Sequence, residues 1–360
     1  MKTEFREITL KEFTDFTKKC HTKNYMQSPA MEKRYQQIGR ESYLLGLFDQ
    51  NNLIVAGLVS CIYNNRGLKI FSFSRGPLMD FSQNPTFFYN FLKSCATFLK
   101  AKKGSILQIS PTLLAPYAPA DFKAQLRDIG YKYLGEYEQV KWVYAIDFDK
   151  IDNLPAKTPT AKRSKVLAPV LTPEEEQTLL RSFRRDHRHT IKYATERYHI
   201  KLRELQPSEY DILLKLLKES GKVHGFVPRD QKFFEQMANA FGDEVATIVA
   251  ELPDGTPIAS AFFLLYGNEV IYLSSGLSRE HKKLGGPHLI QWAMIKYAYA
   301  NGYHKYNFWG TNPDPENGVY KFKQGFHGEV EEFVGTFATS LDIMGKLYLA
   351  KIKTKEQRDL

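Results

Sequence analysis

The chain has 360 residues, of which 43% are apolar and 25% charged, with a formal net charge of +10. That length exceeds one comfortable core and predicts two domains, and the positive balance points to an anionic partner such as nucleic acid, a phosphorylated substrate or an acidic membrane surface. No run approaches the about 18 apolar residues of a membrane span, the start has no apolar leader segment, and Cys20, Cys61 and Cys95 are isolated thiols without metal or disulfide spacing, which fits a reducing cytoplasm.

The first clear element is the strand Leu53 to Tyr63, with Lys69 to Ser74 as its hairpin partner. Arg75-Gly76-Pro77 follows, then a helix from about Thr86 to Lys102, Gly104, and a strand from Ser105 to Ser110. The segment from Asp147 to about Pro173 carries Pro155, Pro159, Pro169 and Pro173, and reads as the domain boundary. Arg181 to Lys192 is the densest basic stretch. Helical spacing puts Arg181, Arg184 or Arg185, Arg188 and Lys192 along one face. That face is either a phosphate-binding surface or a solvated basic helix. His187 and His189 stand two apart, so a helix points them to different sides and no metal pair is expected.

Pro207 to Phe241 reads as two helices, Glu209 to Ser220 behind an N-cap at Ser208, and Phe233 to Phe241. A polar loop, Gly221 to Asp230, joins them. A second hairpin follows: Ile258 to Tyr266, the turn Gly267-Asn268, and Glu269 to Ser274. Gly285-Gly286-Pro287 opens a helix to about Ala300, Gly302 ends it, and Lys305 to Trp309 forms a strand. Hairpin, Gly-Pro, helix and strand thus occur twice, the mark of a duplicated α/β unit. The tail holds a short amphipathic helix, Leu341 to Ile352, and a charged end.

The most informative stretch is Gly318 to Phe326, in which Lys323 stands between Phe322 and a glycine turn. A lysine among aromatics is partly desolvated and can face an anion or a developing oxyanion; it can equally be a snorkelling surface residue. No GxSxG, Walker A, GxGxxG or HExxH pattern occurs. The Gly285-Gly286 turn is similar to the phosphate loop of coenzyme A-dependent acetyltransferases, but Pro287 removes one of the donors such a loop needs.

Taken together, Arg75 to Asp80, Thr190 to Ala194, Gly285 to Trp292, Tyr306 to Gly310 and Gly318 to Phe326 with Gly335 resemble the FemABX family of peptidoglycan-bridge aminoacyltransferases. They run in the family order over nearly the whole chain. No long coiled-coil arm is visible between Arg203 and Phe241, so the chain resembles the compact FemX-type members.

The resemblance implies an α/β (α+β) fold of two tandem acetyltransferase-like (GNAT-like) domains with mixed sheets flanked by helices. The first would take residues 1–150 plus 333–360 and the precursor side, the second 151–332. It implies an enzyme that moves an amino acid from aminoacyl-tRNA to a stem-peptide amine, at residue three, of a UDP-linked or lipid-linked muramyl pentapeptide. Lys323 and Phe322 match the catalytic motif. Arg229 matches an arginine associated with the precursor diphosphate, and Lys33 a second phosphate-binding lysine. Ser110, Tyr320 and Tyr272 complete the implied substrate-binding set.

Ser110 stands where several compact members carry an acidic residue, Phe233 where a tyrosine can occur, and Ser274 where an aromatic is seen. Arg184, Arg185, Arg188 and Lys192 are the implied tRNA-binding residues. No cofactor or metal is implied, a monomer is expected, and the place is the cytoplasm, with peripheral contact at the inner face of the membrane. Rival readings are an acyl-coenzyme A N-acyltransferase, a tRNA-dependent transferase acting on a protein or lipid, and a binding protein without turnover.

Overall fold

The computed structural model describes residues 3–159 and 165–352. The chain divides into two compact units: residues up to Lys141 together with those from Glu332 onward, and Trp142–Glu331.

The first unit runs β1 (Thr3–Glu7), α1 (Leu10–Lys19), α2 (Pro29–Gln37), β2 (Ser42–Asp49), β3 (Asn52–Tyr63), β4 (Lys69–Phe73), β5 (Leu78–Met79), α3 (Thr86–Ala101), β6 (Ile106–Ile109), α4 (Phe122–Asp128) and β7 (Lys132–Gly135). The second runs β8 (Trp142–Asp147), α5 (Pro173–Ser182), α6 (Arg185–Glu196), β9 (Lys201–Glu204), α7 (Tyr210–His224), α8 (Gln231–Phe241), β10 (Val245–Glu251), β11 (Pro257–Tyr266), β12 (Glu269–Leu277), α9 (Gly286–Ala300), β13 (Lys305–Gly310), α10 (Gly318–Gln324) and β14 (Glu329–Glu332). The chain then returns to the first unit as β15 (Thr336–Ser340) and α11 (Ile343–Lys351).

Each unit is built on one mixed sheet. The first has the order β1-β2-β3-β4-β6-β15-β7, with β5 paired to β3; the second has the order β14-β8-β13-β12-β11-β10-β9. Both hairpins expected from the alternating apolar runs form, β3 with β4 and β11 with β12. Both helix-to-strand connections are present, and each closes a parallel pair, β4 with β6 and β12 with β13. The right-handed crossover rule and the need to cover a parallel pair with a helix explain why this order recurs.

Each unit also has its own core. Phe71, Phe73, Phe88, Phe91 and Leu107 anchor the first; Ile248, Phe263, Met294, Tyr306 and Phe326 anchor the second. Cys20, Cys61 and Cys95 are buried free thiols.

Several expectations change. The two Gly-Pro turns are not equivalent. Gly285, at φ 87°, opens α9 directly, whereas Gly76-Pro77 leads into β5, which pairs with β3, and α3 starts only at Thr86. The proline-rich segment expected at the domain boundary lies within the second unit: Ile151 and Leu154 pack on its core, and the Tyr299 hydroxyl donates to the Pro155 carbonyl at 2.7 Å. Residues 160–164 of that segment, and the charged end from 353, lie outside the described residues.

β8, placed before the boundary by the sequence, pairs with β13 through Asp147 opposite Lys305 and Ile146 opposite Tyr306. The first of the two helices after Pro207 is α7. It is preceded by a capping box between Gln206 and Glu209 rather than capped by Ser208.

Candidate active site

The second unit contains a cavity of about 640 Å³ whose position follows from strand pairing. β12 and β13 pair only from Glu269 opposite Lys305 to Ile271 opposite Asn307. Beyond that point they part, and Tyr272 to Leu277 on one side and Phe308 to Gly310 on the other line the gap. In the first unit the equivalent pair stays together from Ile70 opposite Ile106 to Phe73 opposite Ile109, and the Ser110 amide still donates to Phe73 at 3.2 Å. The parting in the second unit has a local cause. Asn307 is buried at the last paired position: its amide donates across to Glu269 of β12 at 2.8 Å, and its carbonyl accepts from the Trp309 amide of its own strand at 2.7 Å. The register of β13 shifts there, and Trp309 takes a left-handed φ of 62°.

Lys323 enters this gap from α10. That helix is short and is started by Asn317, whose side chain accepts from Val319 N and Tyr320 N at 3.0 Å each. Lys323 is 4% exposed. Its ammonium donates to the Gly310 carbonyl and, at 3.4 Å, to the Trp309 carbonyl. No carboxylate lies within ion-pair reach of it among the described residues. Burial without a counter-charge pushes its ammonium down to about 7.

Phe322 lines the cavity next to Lys323 and packs edge-to-face on His288 at 5.0 Å. Burial, with His187 adding to it, pushes the His288 imidazole down to about 3, so its ring is neutral. The Phe322 carbonyl accepts from His187 Nε2 at 2.9 Å, which ties α10 to α6. Gly325 makes this approach possible: a Cβ there would lie 2.0 Å from the His187 ring.

Among the other expected residues, Tyr272 and Arg229 line the cavity with Lys323 and Phe322. Burial pushes the Tyr272 phenol up to about 12, opposed by Ser275 and Gln291. Arg229 is exposed, with its guanidinium 5.4 Å from the centre of the Phe233 ring. Tyr320 is not in the cavity lining; its ring packs on Tyr144 at 6.1 Å. Tyr320 lies one turn before Lys323 on α10, but its half-buried ring packs on the core of the second unit. Lys33, exposed on α2, and Ser110, whose hydroxyl lies 3.0 Å from that of Thr336, belong to the first unit.

The basic stretch is two helices rather than one. Phe183, buried against Trp292 and Phe326, turns the chain to ψ 156° between α5 and α6. Arg181 therefore sits on a different helix from Arg185 and Lys192. Arg188 donates to the Arg181 carbonyl at 3.1 Å and to the Phe183 carbonyl, closing the end of α5. Arg184, Arg185 and Lys192 are exposed.

Further lining residues were not among the site residues expected from the sequence. Lys282 comes from the loop before α9; His288 and Gln291 come from α9 itself. Gln291 is fully buried, and its Oε1 accepts from the Tyr306 hydroxyl at 2.5 Å. Its Nε2 lies beside Tyr272 but outside hydrogen-bond geometry. The spacing of 287, 288 and 291 on one helix face was the available signal. The lining contains no Asp or Glu; its Lys and Arg side chains are Arg229, Lys282 and Lys323, set among mostly apolar residues.

The model of the FemAB family matches residues 8–254 and 252–350. The chain belongs to the FemAB family. Its relatives include aminoacyltransferase FemA of Staphylococcus epidermidis, 26% identical over 403 aligned residues that cover 93% of this chain and 95% of that protein. FemA of Staphylococcus aureus strain MRSA252 is 25% identical over 420 aligned residues, covering 99% of each.

Among solved structures, FemX superposes with a TM-score of 0.78 at 18% identity, over 97% of this chain and all of that one. A tandem GNAT protein from the clavulanic acid biosynthesis pathway gives 0.55 at 9% identity, over 95% and 99%. The fold of this FemAB member is accordingly a tandem pair of acetyltransferase-like units with mixed sheets flanked by helices. No helix among its described residues is long and apolar enough to cross a membrane.

Proposed function

We propose that the chain is an aminoacyltransferase that carries an amino acid from aminoacyl-tRNA to the stem-peptide amine at residue three of a peptidoglycan precursor. The observation that carries the reading is Lys323, a buried cation without a carboxylate partner among the described residues, in the lining of an acid-free cavity. The names of the FemA relatives support the aminoacyl part of it.

In the reaction, the acceptor nitrogen attacks the ester carbonyl carbon and a C–N bond forms. The carbonyl oxygen becomes an oxyanion, which the Lys323 ammonium stabilises in place of the backbone carbonyls it contacts in the free protein. The C–O bond to the ribose then breaks, and the ribose oxygen leaves with the proton that the attacking amine gives up. Phe322 shapes the channel beside the reacting carbon. Because the cavity wall holds no carboxylate, the amine's proton passes to the leaving oxygen or to water rather than to an acidic side chain.

Arg229, Lys33, Ser110 and Tyr272 belong to the proposed substrate-binding set, and Arg184, Arg185 and Lys192 to the tRNA surface. The first unit is assigned to the precursor, and the site of action to the cytoplasm at the inner face of the membrane. The test is a transfer assay with radiolabelled aminoacyl-tRNAs and, separately, UDP-linked and lipid-linked muramyl pentapeptide. Label on the stem peptide is the expected result. Charged tRNA left intact with both acceptors, in the presence of folded protein, overturns the proposal.

A further inference from the structure

α11 is apolar on two sides, and only one of them is covered. Leu349, with Tyr348 and Ile352 in part, packs on Leu68, Ile70 and Ile106 of the first unit. On the other side Ile343 is 77%, Met344 58% and Leu347 55% exposed. Exposed apolar side chains scattered singly are ordinary. Here Ile343, Leu347 and Ala350 follow one another at helical spacing, with Met344 beside them. A helix that is apolar all round is one that is covered on both sides.

The unit holds this helix with its apolar stripe outward. Gly345 lets the backbone come against β6, where a Cβ would collide with the Ser105 carbonyl. Asp342 starts the helix by accepting from Gly345 N at 2.6 Å and from the Ser105 hydroxyl at 2.8 Å. At the other end Lys132 Nζ donates to the Leu349 and Ile352 carbonyls at 2.9 and 2.7 Å. Both helix ends thus find partners inside the unit, which lowers the cost of moving the outward side out of water.

The charged side chains of α11 are Lys346 and Lys351; the one acid at its start, Asp342, is engaged by Ser105. Arg66, in the turn between β3 and β4, lies 5.8 Å from the centre of the Tyr348 ring, and the Tyr348 hydroxyl lies 3.1 Å from that of Tyr137. Arg66, Lys346 and Lys351 are exposed and form no ion pair among the described residues. Aliphatic side chains bordered by cations that lack acidic partners, with two tyrosines at the edge, match acyl chains beneath anionic headgroups.

We propose that the outward side of α11 docks the first unit on a membrane surface rich in anionic lipid, with Ile343, Met344 and Leu347 among the acyl chains and Arg66, Lys346 and Lys351 at the headgroups. The helix is too short to span a bilayer, so it lies on it. This surface gives the membrane-face assignment made above a physical basis and is independent of the chemistry at Lys323.

The experiment is flotation of the full chain with vesicles of phosphatidylcholine alone, or of phosphatidylcholine with an equal share of phosphatidylglycerol, without tRNA or precursor. The wild type is compared with three double variants: Ile343→Gln with Leu347→Gln, Lys346→Gln with Lys351→Gln, and Lys93→Gln with Lys100→Gln. The last pair removes the same charge from α3, which packs on the Phe71 and Leu107 side of the sheet, opposite the Ile70 and Ile106 side that α11 covers. All six side chains are exposed and glutamine is a good helix former, so folding is retained.

The expected result is wild-type binding to the anionic vesicles, weakened about tenfold or more by either α11 pair, with the α3 pair binding as the wild type does. A wild type that stays off anionic vesicles, or α11 variants that float with them as the wild type does, overturns the proposal. Equal loss in the α3 pair assigns the attraction to diffuse charge and overturns it as well. Sedimentation equilibrium supplies the remaining outcome: a wild-type dimer that the Ile343 and Leu347 pair dissociates would give this side to a second copy of the chain instead of lipid. Because no donor or acceptor is present, failure of vesicle binding leaves the transferase reading standing, and failure of transfer leaves this surface standing.

Discussion

The Lys323 ammonium reaches the carbonyl of Trp309, a tryptophan held in left-handed backbone at φ 62°. A bulky residue in that region costs roughly 1–2 kcal/mol. The strain is maintained by Asn307, which accepts from the Trp309 amide, and its effect is to turn two successive carbonyls toward one lysine. Dipoles of this kind hold an ammonium in place without neutralising it, which leaves it free to meet an oxyanion.

Replacing Lys323 by Met is expected to abolish transfer and to stabilise the fold. Burial lowers the folded-state value to about 7, against 10.5 for the exposed group. The unfolded chain therefore binds one more proton than the folded chain between those two values, and the penalty of the buried charge is complete below about 7 and relieved as pH rises toward 10.5. Thermal denaturation should show Lys323→Met melting higher than wild type at pH 6–7, by roughly 2–4 °C for each kcal/mol relieved. The gain should shrink toward pH 10. A lower melting point at pH 6 would remove the buried-charge account.

The same titration sets the pH dependence of transfer. In the proposed mechanism the ammonium form is the active one, so kcat/KM is expected to fall as pH rises through about 7 in the free protein. Anionic donor bound beside Lys323 favours the charged form and moves the corresponding limb of kcat to higher pH. Lys323→Arg keeps its charge at every accessible pH. It should be slower and lack the alkaline limb; an unchanged limb in that variant would assign the titration to another group.

Gly325→Ala is expected to cost about 1–3 kcal/mol, because its Cβ would meet the His187 ring at 2.0 Å. Urea unfolding measures the loss. The strain would be relieved by moving the ring that donates to the Phe322 carbonyl, so kcat should fall as well. His187→Ala in the same chain should return part of the stability, a coupling visible in a double-mutant cycle.

Arg188 should behave differently from its basic neighbours. It closes the end of α5 through the Arg181 and Phe183 carbonyls, so Arg188→Ala should lower stability by about 1 kcal/mol. Arg184→Ala and Arg185→Ala should leave stability nearly unchanged, weaken tRNA binding and flatten its salt dependence. Binding measured across a salt series separates the two classes.

Much of this architecture is written in short-range pattern. The hairpin β11–β12 announces itself through Gly267-Asn268 between apolar runs, and α9 through Gly285 at its start and Gly302 past its end. These are local rules, settled by steric preference and by which residues lack a Cβ or an amide hydrogen. α1 and α2 were missed because their apolar faces are sparse. Yet α1 carries a Thr9–Glu12 capping box, and α2 has Ser28 as N-cap with Pro29 at its first position, signals that were present in the sequence.

The sequence by itself determined the duplicated unit and the resemblance to the family, and through that resemblance it singled out Lys323, because turn chemistry, hydrophobic period and motif order are properties of neighbouring residues. Only the tertiary structure decided that β12 and β13 part after Ile271, that the lysine has no acidic partner among the described residues, and that Lys282 joins the same wall. Burial and missing counter-charges depend on residues brought together from distant parts of the chain, and local spacing carries no record of them. For the same reason Arg188 reads as a surface charge in sequence and becomes a helix-end bracket in space, once Phe183 turns the chain into the core.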